Sequence, residues 1–283
     1  MLLSSLRAYG FAWWQPLLSG SMNGFLEGAV QIVSLSVTTV GLLIVAPFVG
    51  SFLGLLIKRL PTGRRIALAR SECEFCHHPL GPRDLVPFCS WISAGGRCRY
   101  CGQAIGIFYP GVELAALLIA AWAALMLPDW IAWAGAGFGW ALLTLAWIDQ
   151  ETYQLPNVIT LPLAAAGLAV TWLIDRSILV DHLLGAAAGF AFLSLVGWAY
   201  RSLRGRPGLG GGDAKLLGAV GGWVAWQGLP TVVLYAAVSG LAVALLLVAC
   251  GRRLQLSERI PFGPHLCVGA WLVWLYGPLV PAW

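Results

Sequence analysis

Two aspartates stand where an acid is costly to keep. Asp213 follows three glycines, Gly210-Gly211-Gly212, where a basic loop runs into an apolar stretch, and Asp149 ends another apolar run, Trp140 to Ile148. A carboxylate at the edge of hydrocarbon needs a partner or a proton, so an ionisable residue there marks a functional site by default. Two carboxyls that meet are the minimum equipment of an aspartic protease. The ionised one takes a proton from water while the protonated one donates to the carbonyl under attack, and low dielectric with like-charge repulsion keeps one proton on the pair. The titration belongs to the pair, and neither aspartate is singled out as the proton carrier. Gly210, Gly211 and Gly212 let an extended substrate backbone approach Asp213 and let the loop take positive φ. Lys215 either neutralises nearby charge or snorkels at a helix end. Alone, Asp213 reads as a helix cap and Asp149 as a loop acid beside Glu151; their occurrence together carries the catalytic reading.

A second constellation could hold a metal. Cys73-Glu-Phe-Cys76 and Cys98-Arg-Tyr-Cys101 are two Cys-x-x-Cys pairs with 21 residues between them, inside the one sizeable hydrophilic stretch. Four thiolates so paired form a tetrahedral zinc site, and a small domain with little apolar core gains its fold from the metal. Gly102 suits the turn that folds under the ion. Cys89, His77 and His78 lie in the same stretch, but four cysteines already complete the coordination. Cys250 and Cys267 fall in apolar runs and read as small hydrophobes.

The elements that must position these groups are membrane helices. The chain is 59% hydrophobic and 10% charged, with 15 Trp and a mean hydropathy of +0.80, far from the roughly 25% charged residues of soluble domains. Eight apolar stretches approach the ~20 residues that an α-helix needs to cross a bilayer. They run over 34–57, 111–127, 131–148, 158–174, 182–200, 214–229, 231–250 and 262–283. The sixth is short and glycine-rich. The expected fold is an all-α polytopic membrane protein of about eight transmembrane helices with a small cytoplasmic zinc-ribbon-like domain. Its parts are an N-terminal interfacial segment (1–33), a first helix (34–57), a four-cysteine domain (58–110) and a seven-helix membrane core (111–283).

Loop charge orients the chain, because Lys and Arg are retained on the cytoplasmic side. Of the 17, eight lie between Lys58 and Arg99, three between Arg201 and Arg206, and three between Arg252 and Arg259. Only Arg176 falls in the opposite connections, where Asp129, Asp175 and Asp181 read as solvated acids. This map puts Asp149 and Asp213 on the same, cytoplasmic, membrane border. The first thirty residues lack the ordered regions of a signal peptide and read as an interfacial segment, with Trp13 and Trp14 at headgroup level.

These residues carry a resemblance. In order along the chain stand Ser51-Phe-Leu-Gly-Leu-Leu-Ile-Lys-Arg-Leu-Pro61, the span Cys73 to Cys101 with Pro87-Phe-Cys-Ser-Trp-Ile92, and Tyr109-Pro-Gly-Val-Glu-Leu114. After them come Ile148-Asp-Gln-Glu-Thr-Tyr-Gln-Leu-Pro-Asn157, Gly210-Gly-Gly-Asp-Ala-Lys215 and Ile260-Pro-Phe-Gly-Pro264. The chain resembles the type IV prepilin peptidases, membrane aspartyl proteases of the G-x-G-D type, many of which also N-methylate the new N-terminus. It departs from them in having Glu74 after the first cysteine, where proline is common, and Asn157 where aspartate is frequent.

The resemblance implies a bacterial inner-membrane enzyme acting on prepilins or pseudopilins, with Asp149 and Asp213 catalytic, structural zinc on Cys73, Cys76, Cys98 and Cys101, and S-adenosylmethionine as methyl donor. No glycine-rich fingerprint follows a strand, and Gly95, Gly96 and Glu113 are the positions to test for the donor. The leader is basic and so are the cytoplasmic loops, which opposes bulk attraction. Recognition then falls to local acids (Glu151, Glu72, Glu74, Asp84), with anionic lipid as a further contributor. Membrane lipid is an expected partner and nucleic acid is not. A proton or ion transporter, or a silent scaffold of a pilus or secretion machine, would also keep membrane acids.

Overall fold

The computed structural model describes residues 37–64, 71–73, 75–205, 210–251 and 261–279. The expected interfacial segment, Glu74, Arg206, Arg252, Arg253 and Arg259 lie outside them. The helices are α1 (Val37–Arg59), α2 (Cys89–Ser93), α3 (Phe108–Met126), α4 (Asp129–Thr152), α5 (Asn157–Ile174), α6 (Leu179–Arg204), α7 (Gly211–Ala249) and α8 (Gly263–Tyr276). Among the described residues the only β pairing is two isolated bridges. The fold is all-α, and among the described residues six helices are long and apolar enough to cross a membrane. The chain is a multi-pass membrane protein with a small cysteine-bearing domain between α1 and α3.

The expected count of eight spans changes in two places. The sixth and seventh expected spans form a 39-residue stretch, α7, of two helical halves joined without a loop, together at about 1.5 Å per residue nearly twice the ~30 Å of a hydrocarbon core. It is divided by a non-helical residue, Ala225 (φ 57°, ψ 179°), and not at Pro230, where the sequence placed the boundary. The last helix has 14 residues, Gly263–Tyr276, so it falls short of a full crossing on its own.

The chain packs as two compact units, Leu35–Thr144 and the residues from Leu145 onward. In the first, α1 meets α3 backbone to backbone: a Cβ added at Gly50 would lie 2.6 Å from Glu113 Cα. Two indoles fasten the first part of α4, Trp133 Nε1 donating to Thr38 O at 3.2 Å and Trp140 Nε1 to Ala116 O at 3.0 Å.

In the second unit small residues let helices approach closely, which is how membrane helices gain packing when lipid competes for apolar contact. A Cβ at Gly185 would lie 2.6 Å from Ala225 C, and one at Gly189 2.6 Å from Leu217 O, so α6 runs directly against the first half of α7. Gly167 of α5 faces Trp223 as tightly. That indole donates to Leu163 O at 2.8 Å and meets Trp274 of α8 edge-on.

The break in α7 is held from the start of α6. His182 is buried, with Nδ1 3.0 Å from Gly222 O and 3.1 Å from Thr171 Oγ1. A carbonyl only accepts, so Nδ1 carries the proton. Just past the break, Trp226 Nε1 donates to Asp181 Oδ1 at 3.1 Å, so this acid has a protein partner and is more than a solvated residue. Asp175 likewise accepts from Ser177 N at 2.8 Å. Replacing His182 by alanine strips a partner from the Gly222 carbonyl, and the expected loss is about 1–2 kcal/mol. Thermal unfolding in detergent should show it as a lower midpoint, and an unchanged midpoint would remove His182 from this role.

Candidate active site

Asp149 comes from the last turns of α4 and Asp213 from the first turn of α7, and both are buried, at 6% and 8% exposure. They line one open pocket of about 420 Å³ together with the 153–157 connection, Gly210, Gly211, Gly212 and Lys215. They are near enough for the charge of Asp149 to act on Asp213.

Each carboxylate takes one backbone N–H from a glycine at a helix N-terminus. Gly210 N donates to Asp213 Oδ2 at 3.2 Å, so Asp213 does cap α7. Gly263 N donates to Asp149 Oδ2 at 3.1 Å. Gly263 begins α8 and lies 114 positions from Asp149 in sequence. The N-terminal N–H groups of a helix lack partners within it and carry the positive end of its dipole, which suits a carboxylate. A Cβ on Gly263 would sit 2.6 Å from Asp149 Oδ2 and 2.9 Å from its Cγ, so the position excludes a side chain. In the sequence, Ile260-Pro-Phe-Gly-Pro264 stands only as the last of the motifs that carry the resemblance. A glycine just before a proline was the available signal, and nothing local connects it to Asp149.

None of the three glycines, Gly210, Gly211 and Gly212, takes the expected positive φ. Gly210 is extended (φ −73°, ψ 142°) and the other two are helical. Gly211 has nothing within 4 Å of an added Cβ and leaves the pocket open, while Gly212 packs against Leu155 at 3.0 Å. The left-handed residue here is Tyr153 (φ 55°), just beyond the end of α4. A non-glycine in that region costs on the order of 1–3 kcal/mol and is often found beside functional groups.

Lys215 lines the pocket and donates to Asn157 Oδ1 at 3.1 Å. Glu151 is exposed and does not line it; its Oε1 accepts from Trp147 Nε1 at 3.0 Å. Cys267 is buried within electrostatic reach of both carboxylates.

The four knuckle cysteines converge. Sγ atoms of Cys73, Cys76, Cys98 and Cys101 all lie within 4.8 Å of one another, with Cys73 and Cys101 3.9 Å apart. Sulfurs at about 2.3 Å from a tetrahedral ion would be separated by roughly 3.8 Å, so the set fits a metal. The two knuckles are copies of one turn. Cys73 N donates to His78 O at 3.0 Å and His77 N to Cys73 O at 2.9 Å; Cys98 N donates to Gln103 O at 2.8 Å and Gly102 N to Cys98 O at 2.9 Å. His77 (φ 54°) therefore fills the left-handed position that Gly102 (φ 71°) fills in the second copy. It is a turn residue. Backbone N–H groups of Cys101 and Tyr100 hold the Cys98 thiol down at about 7, which favours the metal-binding thiolate near neutral pH. Gly95 and Gly96 precede the second knuckle at positive φ; Gly95 is open, and Gly96 lies under Trp91. Glu113 is buried on α3 and its carboxylate is engaged by Phe88 N at 2.9 Å.

The fold and the pocket define the class first: an all-α multi-pass membrane protein with two carboxylates in one opening and a four-sulfur cluster in the stretch between α1 and α3. Residues 44–127 match the bacterial peptidase A24 N-terminal domain, and residues 136–245 match the type IV leader peptidase family. A prepilin leader peptidase/N-methyltransferase of Burkholderia pseudomallei (strain K96243) is 42% identical over 219 residues, which is 77% of this chain and 71% of that protein. Proteins of the same description from Aeromonas hydrophila and Dickeya chrysanthemi are each 38% identical, covering 77% and 80% of this chain and 75% and 88% of their own. No solved structure matches. The chain belongs to the type IV leader peptidase family and is a membrane peptidase. Neither transport nor a silent scaffold finds support among these relatives. The first match takes in the knuckles and Glu113 and the second both aspartates, whereas Gly263 lies beyond both.

Proposed function

We propose that this protein removes the basic leader of type IV prepilins or pseudopilins at the cytoplasmic face of a bacterial inner membrane, and N-methylates the new N-terminal residue. The observation that carries the peptidase reading is the meeting of Asp149 and Asp213 in one open pocket, each with one oxygen engaged by a glycine N–H. That leaves the two Oδ1 atoms to handle water and substrate. One carboxylate, ionised, accepts a proton as the water oxygen attacks the scissile carbonyl carbon. The other, protonated, donates to the carbonyl oxygen. Collapse of the tetrahedral intermediate passes a proton to the departing nitrogen.

A substrate whose apolar helix lies in the bilayer would bring its scissile bond to this border. The open face at Gly211 admits an extended backbone. Lys215 is held toward the pocket by Asn157 and supports the loop. Of the acids available for a basic leader, Asp84 is already taken by Arg99 at 3.5 Å and by Gly81 N, and Glu72 lies 3.8 Å from His77. Glu151, whose Oε1 accepts from Trp147 Nε1, is exposed and stands two residues from Asp149, which makes it the nearest of these acids to the dyad along the chain. Anionic lipid is the remaining contributor, since the loops themselves are basic.

The metal at Cys73, Cys76, Cys98 and Cys101 is zinc, in a structural role. The methyl donor is S-adenosylmethionine, with Gly95 and Gly96 as the backbone positions nearest to hand in the domain of residues 58–110. Metal analysis should find one zinc per chain, and Cys98→Ser should abolish it. Full zinc content in that variant would overturn the ligand set. The reading as a whole is tested by incubating the purified protein with a prepilin and S-adenosylmethionine. Leader loss and a mature N-terminus heavier by one methyl group are expected, whereas an intact prepilin would refute the peptidase reading and an unmethylated product the second activity.

A further inference from the structure

Glu113 is the one acid buried in the first unit among the described residues, at 6% exposure, and no step above uses it. Its carboxylate is consumed within the chain. Oε2 accepts from Phe88 N at 2.9 Å, and the Ser51 side chain of α1 bonds to it as well. The bond falls where α1 and α3 approach most closely, since Gly50, beside Ser51, presses on Glu113 Cα. Phe88 has φ 56° and ψ −51°, the strained centre of a γ-turn closed by Cys89 N donating to Pro87 O, a conformation that is costly for any residue with a side chain. It sits directly before α2. Trp91 of α2 donates to Ile105 O at 3.2 Å and covers Gly96, whose O accepts from Ile105 N at 2.7 Å, two residues before Cys98. One carboxylate on a membrane helix thus grips the strained residue from which the second knuckle is supported.

We propose that Glu113 is a positioning residue that ties the cysteine domain to helices α1 and α3 by holding Phe88 in its strained, positive-φ turn. The carboxyl oxygen gives the part-buried Phe88 N–H the acceptor it needs, and the bond offsets the strain at Phe88. The tie sets the place of the domain, and the four sulfurs hold its internal fold. Its loss therefore separates two things that general unfolding would move together: metal content persists while domain position loosens. The activity arm rests on the methylation reading above; the structural arm does not.

The test uses the full chain in detergent. Hydrogen exchange over residues 86–93, bound zinc, leader removal and N-terminal methylation are measured for Glu113→Ala and Glu113→Gln. In the alanine variant exchange over 86–93 should quicken by about tenfold or more, as an opened hydrogen bond allows, with zinc retained and leader removal near wild type. Methylation should fall by about tenfold, the scale of effect that small misplacements have. Glutamine keeps an acceptor oxygen and should restore both. Wild-type exchange in the alanine variant overturns the proposal. So does a glutamine variant that loses methylation with unchanged exchange, since that would mean the charge serves a bound ligand. If the wild type yields no methylated product, the methylation reading fails while the exchange arm still decides the tie. If Glu113→Ala does not accumulate, adding Phe88→Gly, which adopts positive φ without strain, should rescue it; failure of that rescue also overturns the proposal.

Discussion

Asp149→Asn and Asp213→Asn are each expected to abolish leader removal, with rates at least about 10⁴-fold below wild type, the upper range for loss of a general acid or base. The substitution is close to isosteric. An asparagine oxygen can still accept from Gly263 N or Gly210 N, so the hydrogen bonds that seat the two side chains persist. What disappears is the ability to take or give a proton at the reacting atoms. The outcome separates catalysis from helix capping. If Asp213 served only as a cap, Asp213→Asn would lower the unfolding midpoint slightly and leave the rate alone, because asparagine also caps. Initial rates of leader release at saturating prepilin, with thermal midpoints beside them, decide the matter. Wild-type cleavage by either variant would sink the dyad.

Gly263→Ala is the second large effect. Alanine is a better helix former than glycine by about 1 kcal/mol, so on helix propensity alone α8 should tolerate or welcome it. The site should not. The added methyl would lie 2.6 Å from Asp149 Oδ2, and its three nearest neighbours are all atoms of the Asp149 side chain. Either Asp149 swings out of register with Asp213 or the start of α8 withdraws its N–H. A misplacement of about 1 Å at a reacting group can cost 10²-fold, and a fall of that order in kcat is expected, with little change in KM or in unfolding midpoint. Gly137→Ala, on α4 and away from the pocket, serves as the control, since nothing lies within 4 Å of its added carbon. A Gly263→Ala enzyme that cleaves at the wild-type rate would show that Asp149 does not depend on α8.

Much of the fold could be read along the chain because the signals are local. Apolar runs mark helices by length, and the observed α1, α3, α4, α5 and α6 fall on the expected stretches. The Cys-x-x-Cys pairs point to one site because each knuckle is a turn closed within a few residues. The α7 region misled for an equally physical reason. Proline is the usual local marker of a helix boundary, so Pro230 drew the division, yet the chain breaks at Ala225, which has no such signature. The break answers to α6: Gly185 leaves room for it, His182 takes the Gly222 carbonyl on one side, and Asp181 takes the Trp226 indole on the other. The expectation of positive φ at Gly210 to Gly212 failed similarly, since two of the three are absorbed into the first turn of α7 and the left-handed residue is Tyr153.

By itself, then, the sequence determined that the chain crosses a membrane many times, that four sulfurs gather in a small domain, and that Asp149 and Asp213 end apolar stretches. Hydropathy, spacing and residue type act over a turn or two of chain, so they are visible without a fold. Only the tertiary structure decided which backbone N–H meets Asp149, where α7 yields and what Glu113 holds. Those are contacts between residues 114, 40 and 25 positions apart. No local preference encodes such pairs; they exist because close-packed helices leave one backbone donor or one absent side chain opposite each polar group that must be satisfied.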